Sequence, residues 1–213
     1  LNAAADGLMV AKMRNLGEAC TAANRIYVHE NVATEFVDLF VAKMANLKMG
    51  DGRDHSIDVG PLVNLETRDK VDYFVRDAVS KGAVIKLGGQ KPVGKGFFYP
   101  PTVMTNVPDT AECLSDEIFG PVAAIQTFSD EMEIVQRSNA TEYGLVAYVY
   151  TSDMKRGMRI SESLEFGMIG LNRGLVSDPA SPFGGVKQSG LGREGGKEGM
   201  LEFQETQYIS TEW

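Results

Sequence analysis

Short apolar runs alternate with helical segments over most of this chain, and the alternation restricts the folds that it can adopt. The apolar runs cover Ile26–Val28, Ala83–Leu87, Val122–Phe128, Val146–Tyr150 and Gly167–Leu171. Such near-continuous runs are typical of strands buried on both faces of a parallel sheet. The sequence therefore predicts an α/β fold, with a largely parallel open sheet and helices on both faces.

Five segments between these runs have the periodicity and end signals of helices. They are Asn2–Met13, Ala33–Leu47 with Asn31 as N-cap, Leu65–Ser80 with Gly82 at its end, Asp130–Ser138, and Asp153–Leu164. Gly17 is a stop signal after the first of them. Gly88–Pro101 is typical of a hairpin region, Gly170–Gly196 is predicted to be irregular, and Phe203–Ile209 is predicted to be a last strand.

Size and charge exclude several classes of protein. With 213 residues the chain can form one large domain, or one domain with an appendage. A net charge of −8 and two separated cysteines argue against nucleic-acid binding and against a disulfide framework. No run approaches the ~18 apolar residues of a membrane span, so a cytoplasmic protein is expected. The first residue is Leu1 rather than Met, which suggests a fragment.

Cys20 is the first candidate for chemistry. It follows Arg14 by six residues and should lie on a turn between the first helix and the first strand. A thiol on such a turn is accessible, although most lone cysteines are buried and behave as small hydrophobes. The two histidines, His29 and His55, fall on a strand end and in a polar loop, so a Cys–His pair is not expected.

Five segments, in order, resemble those of the aldehyde dehydrogenase superfamily. They are Asn15–Arg25, Asp116–Pro121, Asn139–Leu145, Gly170–Asn172 and Ser181–Glu194. The first resembles the active-site cysteine signature, and the second resembles the segment that holds the nicotinamide ribose and ring. The resemblance implies that this chain is the C-terminal, catalytic half of such an enzyme, with residues 1–201 as the catalytic domain and 202–213 as an oligomerisation strand.

The resemblance implies a role for Cys20 as the nucleophile that forms a thioester. The glutamate that activates water and the nucleotide-binding fold would belong to the preceding half, so the isolated chain is expected to be inactive. The implied cofactor is NADP or NAD, with NADP preferred on the likeness to bacterial relatives, and no metal is implied. Partners would be a small aldehyde and further copies of the chain in a homo-dimer or homo-tetramer, without nucleic acid or membrane.

Arg14 and Ser177 are the candidate specificity residues. An arginine six positions before the cysteine resembles succinate-semialdehyde dehydrogenases, where it holds the distal carboxylate, and Ser177 falls where those enzymes place a serine. Arg and a carboxylate pair in a bidentate manner. A dehydrogenase for another carboxylate-bearing aldehyde, such as glutarate semialdehyde, and a catalytically silent assembly or binding domain are the alternatives.

The resemblance also implies further site residues. Glu117 and Phe119 would bind the cofactor, Phe183 would line the substrate pocket, and Asn172 would give structural support. Lys70 falls near a family cofactor contact, but its surroundings match poorly and we do not include it.

At two positions the residue differs from the one that is common in relatives. Ala22 stands where some relatives have a second cysteine, so the redox switch of that pair is absent. Glu18 stands where glutamine is common, and a carboxylate beside Cys20 would raise the pKa of the thiol if it pointed inward. We expect the Glu18 side chain to point away.

Overall fold

The computed structural model describes all residues from Leu1 to Trp213. The helices are α1 Asn2–Met13, α2 Glu30–Ala45, α3 Leu65–Ser80, α4 Glu131–Asn139, α5 Met154–Ser163 and α6 Glu198–Leu201, with 3-10 turns at Arg14–Gly17 and Glu112–Leu114. The strands are β1 Arg25–His29, β2 Val84–Leu87, β3 Thr102–Thr105, β4 Val122–Phe128, β5 Tyr143–Gly144, β6 Val146–Val149, β7 Met168–Leu171 and β8 Val186–Lys187.

The main sheet has the strand order β1-β4-β3-β2. Strand β4 is parallel to both β1 and β3, and β2 is antiparallel to β3 at the edge. A second parallel pair, β6 and β7, is connected through α5, and β5 and β8 form a short antiparallel pair. The prediction of a mostly parallel α/β fold is confirmed, and Gly88–Pro101 is the connection of the β2–β3 hairpin.

Helices cover both faces of the main sheet because the side chains of its central strands alternate between two cores. Ala123 and Ile125 of β4 pack with α1 and α2, together with Phe40 and Met44. Val122 and Ala124 of the same strand pack with α3 on the other face. Strand β4 is thus buried on both faces, as its continuous apolar run predicted.

Some predicted boundaries were wrong. Helix α2 begins at Glu30, and its N-cap is His29 instead of Asn31, because the His29 imidazole accepts a hydrogen bond from the Asn31 backbone N–H at 3.3 Å. Strand β3 and the short β5–β8 pair were not predicted. Two-residue strands and a Thr-rich run after two prolines carry little period-2 signal, so their pairing depends on neighbouring strands.

The C-terminal residues 202–213 are all exposed and none lies in a strand, so the strand predicted at Phe203–Ile209 does not form within this single chain. None of the helices combines the length and the apolar composition that crossing a membrane requires.

Candidate active site

An unusual turn connects α1 to the Cys20 segment. Three consecutive residues, Asn15, Leu16 and Gly17, have positive φ angles of 49°, 59° and 77°. This region is unfavourable for non-glycine residues, and such strain clusters at functional sites. A Cβ on Gly17 would lie 2.4 Å from the Gly120 carbonyl oxygen, so only glycine permits this approach. The contact joins the cysteine segment to the Asp116–Pro121 segment.

The two cysteines have opposite environments. Cys20 lies exposed on the turn before β1, as predicted, whereas Cys113 is fully buried in a 3-10 turn. Burial raises the pKa of the Cys113 thiol to about 11, and the charge of Asp77 acts in the same direction. Because the thiolate is the reactive form, Cys113 is inert and Cys20 is the accessible thiol of the chain.

Arg14 and Ser177 are brought together although 163 residues separate them: Nη1 of Arg14 lies 3.5 Å from Oγ of Ser177. The loop that carries Ser177 reaches α1 because Gly174 packs on Gly7, where a Cβ would lie 2.1 Å from the Gly7 carbonyl oxygen. Arg14 takes part in none of the ion pairs of the chain. Its guanidinium can therefore receive an external carboxylate.

Asn24 fixes the segment that holds Glu117 and Phe119. Its amide nitrogen donates to the carbonyl oxygens of Cys113 at 2.9 Å and of Asp116 at 3.1 Å. Its amide oxygen accepts from the Ile118 N–H at 2.9 Å. Asn24, within the cysteine signature, thereby holds the candidate cofactor segment in place, a role that was not predicted from the sequence.

Glu117 is exposed and Phe119 is half-buried, with a positive φ of 53° for Phe119. Lys70 lies against the same segment, because its ammonium donates to the Glu117 carbonyl oxygen at 3.1 Å. Lys70, which we did not include in the site, is therefore a neighbour of the candidate cofactor segment.

Glu18 points away from the thiol, as we expected. Its carboxylate accepts a hydrogen bond from the Val63 N–H at 3.1 Å, in the loop that precedes α3.

Lys12 is a buried cation behind the site, with 1% of its surface exposed. Burial lowers the pKa of its ammonium to about 8, and the charge of Glu117 partly opposes this shift. The sequence carried a signal for it, because Lys12 follows Ala5 and Leu8 at helical spacing on the buried face of α1.

Phe183 and Asn172 lie in the later segments. The Phe183 backbone pairs with Glu194 through two hydrogen bonds of 2.7 Å, and the pocket role of the Phe183 side chain stays a prediction. The Asn172 side chain forms two hydrogen bonds of 2.9 Å with the backbone of Thr151, which suits the structural role expected for it. No three or more His, Cys, Asp or Glu side chains cluster as they would around a metal ion.

The family model described as "Aldehyde dehydrogenase family" matches residues 1–209. The chain belongs to the aldehyde dehydrogenase family. This match covers nearly the whole chain and includes all five of the segments on which the resemblance depended.

Among curated aldehyde dehydrogenases, the succinate-semialdehyde dehydrogenase of Paenarthrobacter nicotinovorans is 53% identical over 98% of this chain and 46% of its own length. A protein of Sinorhizobium fredii, named probable succinate-semialdehyde dehydrogenase [NADP(+)], is 44% identical over 98% of the chain and 43% of its own length. The glutarate-semialdehyde dehydrogenase of Pseudomonas aeruginosa has the same identity and the same two coverages. The chain thus spans about half the length of these relatives.

Solved aldehyde dehydrogenases share the fold. The succinate-semialdehyde dehydrogenase of Burkholderia pseudomallei superposes with a TM-score of 0.93 at 42% identity, over 95% of this chain and 42% of its own. An NAD+ complex of the Bacillus cereus aldehyde dehydrogenase superposes with a TM-score of 0.91 at 34% identity, over 95% of this chain and 41% of its own.

Proposed function

We propose that residues 1–201 are the catalytic domain of an enzyme that oxidises succinate semialdehyde to succinate, with NADP or NAD as hydride acceptor. The observation that carries the proposal is the Arg14 guanidinium, which has the Ser177 hydroxyl as its side-chain partner and lies six residues before the exposed Cys20. A cation and a neutral donor without an acidic partner suit a substrate that carries a carboxylate at the end opposite to its aldehyde.

Cys20 performs the covalent step. Its thiolate adds to the aldehyde carbon, and the carbonyl oxygen takes the negative charge. Loss of hydride from that carbon restores the carbonyl as a thioester of Cys20. Water then attacks the thioester, which releases the carboxylic acid and the thiol. Arg14 and Ser177 hold the distal carboxylate, so that the aldehyde carbon lies over the sulfur when the reaction begins.

The residues of this chain fit the nicotinamide end of the cofactor. NADP or NAD, when bound, supplies the hydride acceptor. The exposed Glu117 carboxylate can accept hydrogen bonds from ribose hydroxyls, and the half-buried Phe119 ring offers a flat apolar surface. Lys70 and Asn24 fix the backbone of that segment from two sides. We infer NADP as the preferred cofactor because the Sinorhizobium fredii relative names it.

Glutarate semialdehyde is the second candidate substrate. This candidate is supported by the glutarate-semialdehyde dehydrogenase of Pseudomonas aeruginosa, whose sequence identity to this chain equals that of the Sinorhizobium fredii protein. The two aldehydes differ by one methylene, and a long flexible arginine can accommodate such a difference. Discrimination by one methylene is ordinarily only about 10- to 200-fold.

The experiment is a substrate panel on the whole protein that carries this chain. Succinate semialdehyde, glutarate semialdehyde and butanal are each tested with NAD and with NADP, in the wild type and in Cys20→Ala. Succinate semialdehyde should have the highest kcat/KM, and Cys20→Ala should remove oxidation of every aldehyde without unfolding the protein. If Cys20→Ala retained more than a few per cent of the wild-type kcat, Cys20 would not be the nucleophile. A wild type that oxidises none of the three would favour a silent assembly domain.

We further propose that residues 202–213 pair with the sheet of a neighbouring copy in a homo-dimer or homo-tetramer. Phe203, Tyr208 and Ile209 are 93%, 87% and 72% exposed in the single chain, which is unfavourable for large apolar side chains in water. Pairing with a sheet edge would bury them and would also cover that edge.

A further inference from the structure

Tyr148 reaches the Cys20 turn from a different part of the fold. Its hydroxyl, on strand β6, donates a hydrogen bond to the Thr21 carbonyl oxygen at 3.0 Å. Thr21 directly follows Cys20 and is buried. Among residues 19–22 this is the one hydrogen bond made with a side chain, so it anchors the turn to the β6–β7 pair.

Strand β7 leaves space for the Tyr148 ring. Tyr148 and Gly170 are directly paired across β6 and β7. A Cβ on Gly170 would lie 2.7 Å from Cδ1 of Tyr148, closer than van der Waals contact permits. Gly170 therefore leaves the space that the ring occupies, and the two Asn172–Thr151 hydrogen bonds hold the ends of the strands together.

The phenol lies within electrostatic reach of both candidate substrate-handling groups. Burial raises the pKa of Tyr148, the charge of Arg14 lowers it, and the charge of Cys20 raises it. Tyr148 thus stays protonated at neutral pH and keeps the O–H that the Thr21 carbonyl oxygen requires.

We propose that Tyr148 is a positioning residue for Cys20, and that its hydroxyl holds the turn so that the sulfur faces the aldehyde carbon. This inference rests on the proposed function, since it takes Cys20 as the nucleophile. The backbone of the turn is held by few backbone hydrogen bonds. The Ala22 N–H donates to the Ala19 carbonyl oxygen at 2.9 Å, and the Ala23 N–H donates to the Ala11 carbonyl oxygen at 3.0 Å. A nucleophile must be held within about 0.5 Å of its reactive position, so an added anchor matters for kcat.

The chain offers a matched control two residues further on. The Tyr150 hydroxyl is buried and has no hydrogen-bond partner. Tyr148→Phe and Tyr150→Phe therefore remove the same atom from neighbouring positions, and only the first breaks a hydrogen bond. Both variants are to be made in the whole protein, and thermal melting is used to check that each is folded.

Two readouts are compared between the variants. The first is kcat and KM for succinate semialdehyde. A hydrogen bond of ordinary strength corresponds to roughly 2- to 12-fold, so Tyr148→Phe should lower kcat by that factor while KM changes by less than about twofold. The second is hydrogen exchange of the Ala22 and Ala23 amides, which should quicken by a similar factor while exchange in β4 is unchanged. Tyr150→Phe should match the wild type in both.

Equal kcat in the two variants, or faster exchange of the whole protein instead of the turn, overturns the positioning role. The exchange readout needs no substrate. A wild type that oxidises no carboxylate-bearing aldehyde would therefore refute the proposed function, and unchanged exchange in Tyr148→Phe would separately refute the anchor.

Discussion

Replacing Lys12 by methionine should stabilise the protein, and the gain should depend on pH. Methionine has a similar length and no charge, so it can fill the same buried space on α1. The Lys12 ammonium is 1% exposed, and burial lowers its pKa from 10.5 to about 8. A buried charge of this kind opposes folding until the proton is released.

The magnitude follows from the two pKa values. One pKa unit corresponds to about 1.4 kcal/mol, so the shift from 10.5 to about 8 disfavours the folded state by roughly 3 kcal/mol. Between the two pKa values the unfolded chain binds more protons than the folded one, so the stability of the wild type rises with pH across that window. Below the folded pKa the full penalty applies. Lys12→Met should therefore gain about 3 kcal/mol at pH 7 and less than about 1 kcal/mol at pH 10.

The assay is urea denaturation of the wild type and of Lys12→Met in the whole protein, at both pH values. Only the difference between the two proteins is used, because other groups titrate in both. A variant that is less stable at pH 7, or a difference that does not shrink toward pH 10, would refute this account of Lys12. We also expect weaker cofactor binding, because the charge that attracts Glu117 is lost.

Two further predictions concern the turn and the tail. Gly17→Ala should lower the free energy of unfolding by at least about 2 kcal/mol in a denaturation curve, because of the positive φ and the 2.4 Å approach to the Gly120 carbonyl oxygen. In the control Gly52→Ala, where a Cβ meets nothing within 4 Å, the free energy of unfolding should stay within about 0.5 kcal/mol of the wild type. Equal effects of the two substitutions would contradict the reasoning. Deleting residues 202–213 should reduce the mass of the assembled protein in light scattering, and an unchanged mass would show that the tail does not hold copies together.

The sequence predicted those elements whose signal is local. Strand β4 and helix α3 have the predicted bounds, because a continuous apolar run and a capped amphipathic stripe each determine their own conformation. Strand β3 was missed because Thr102–Thr105 becomes a strand through β2 and β4 on either side. The strand predicted at Phe203–Ile209 has no partner within the chain, and a strand without a partner does not form, whatever its alternation.

The site was predictable only in part. Cys20 and Arg14 are close in sequence, and Ser177 came from the resemblance, since no local pattern connects residues 163 positions apart. Asn24 and Tyr148 were missed because they act on backbone carbonyl oxygens, which every residue has and which leave no signature in the sequence. Lys12 could have been found as a lysine on an apolar helix face.

The most direct test of the account is the substrate dependence of Arg14→Ala in the whole protein. Hydrogen bonds to charged groups are worth roughly 1.5–3 kcal/mol, so kcat/KM for succinate semialdehyde should fall by about 10- to 150-fold. Butanal has the same chain length without the carboxylate, and its kcat/KM should change by less than about threefold, since no bond to the guanidinium is lost. A selective loss would support Arg14 as the carboxylate anchor beside Cys20. Equal losses for both aldehydes would show that Arg14 only supports the turn, and would contradict the proposed function.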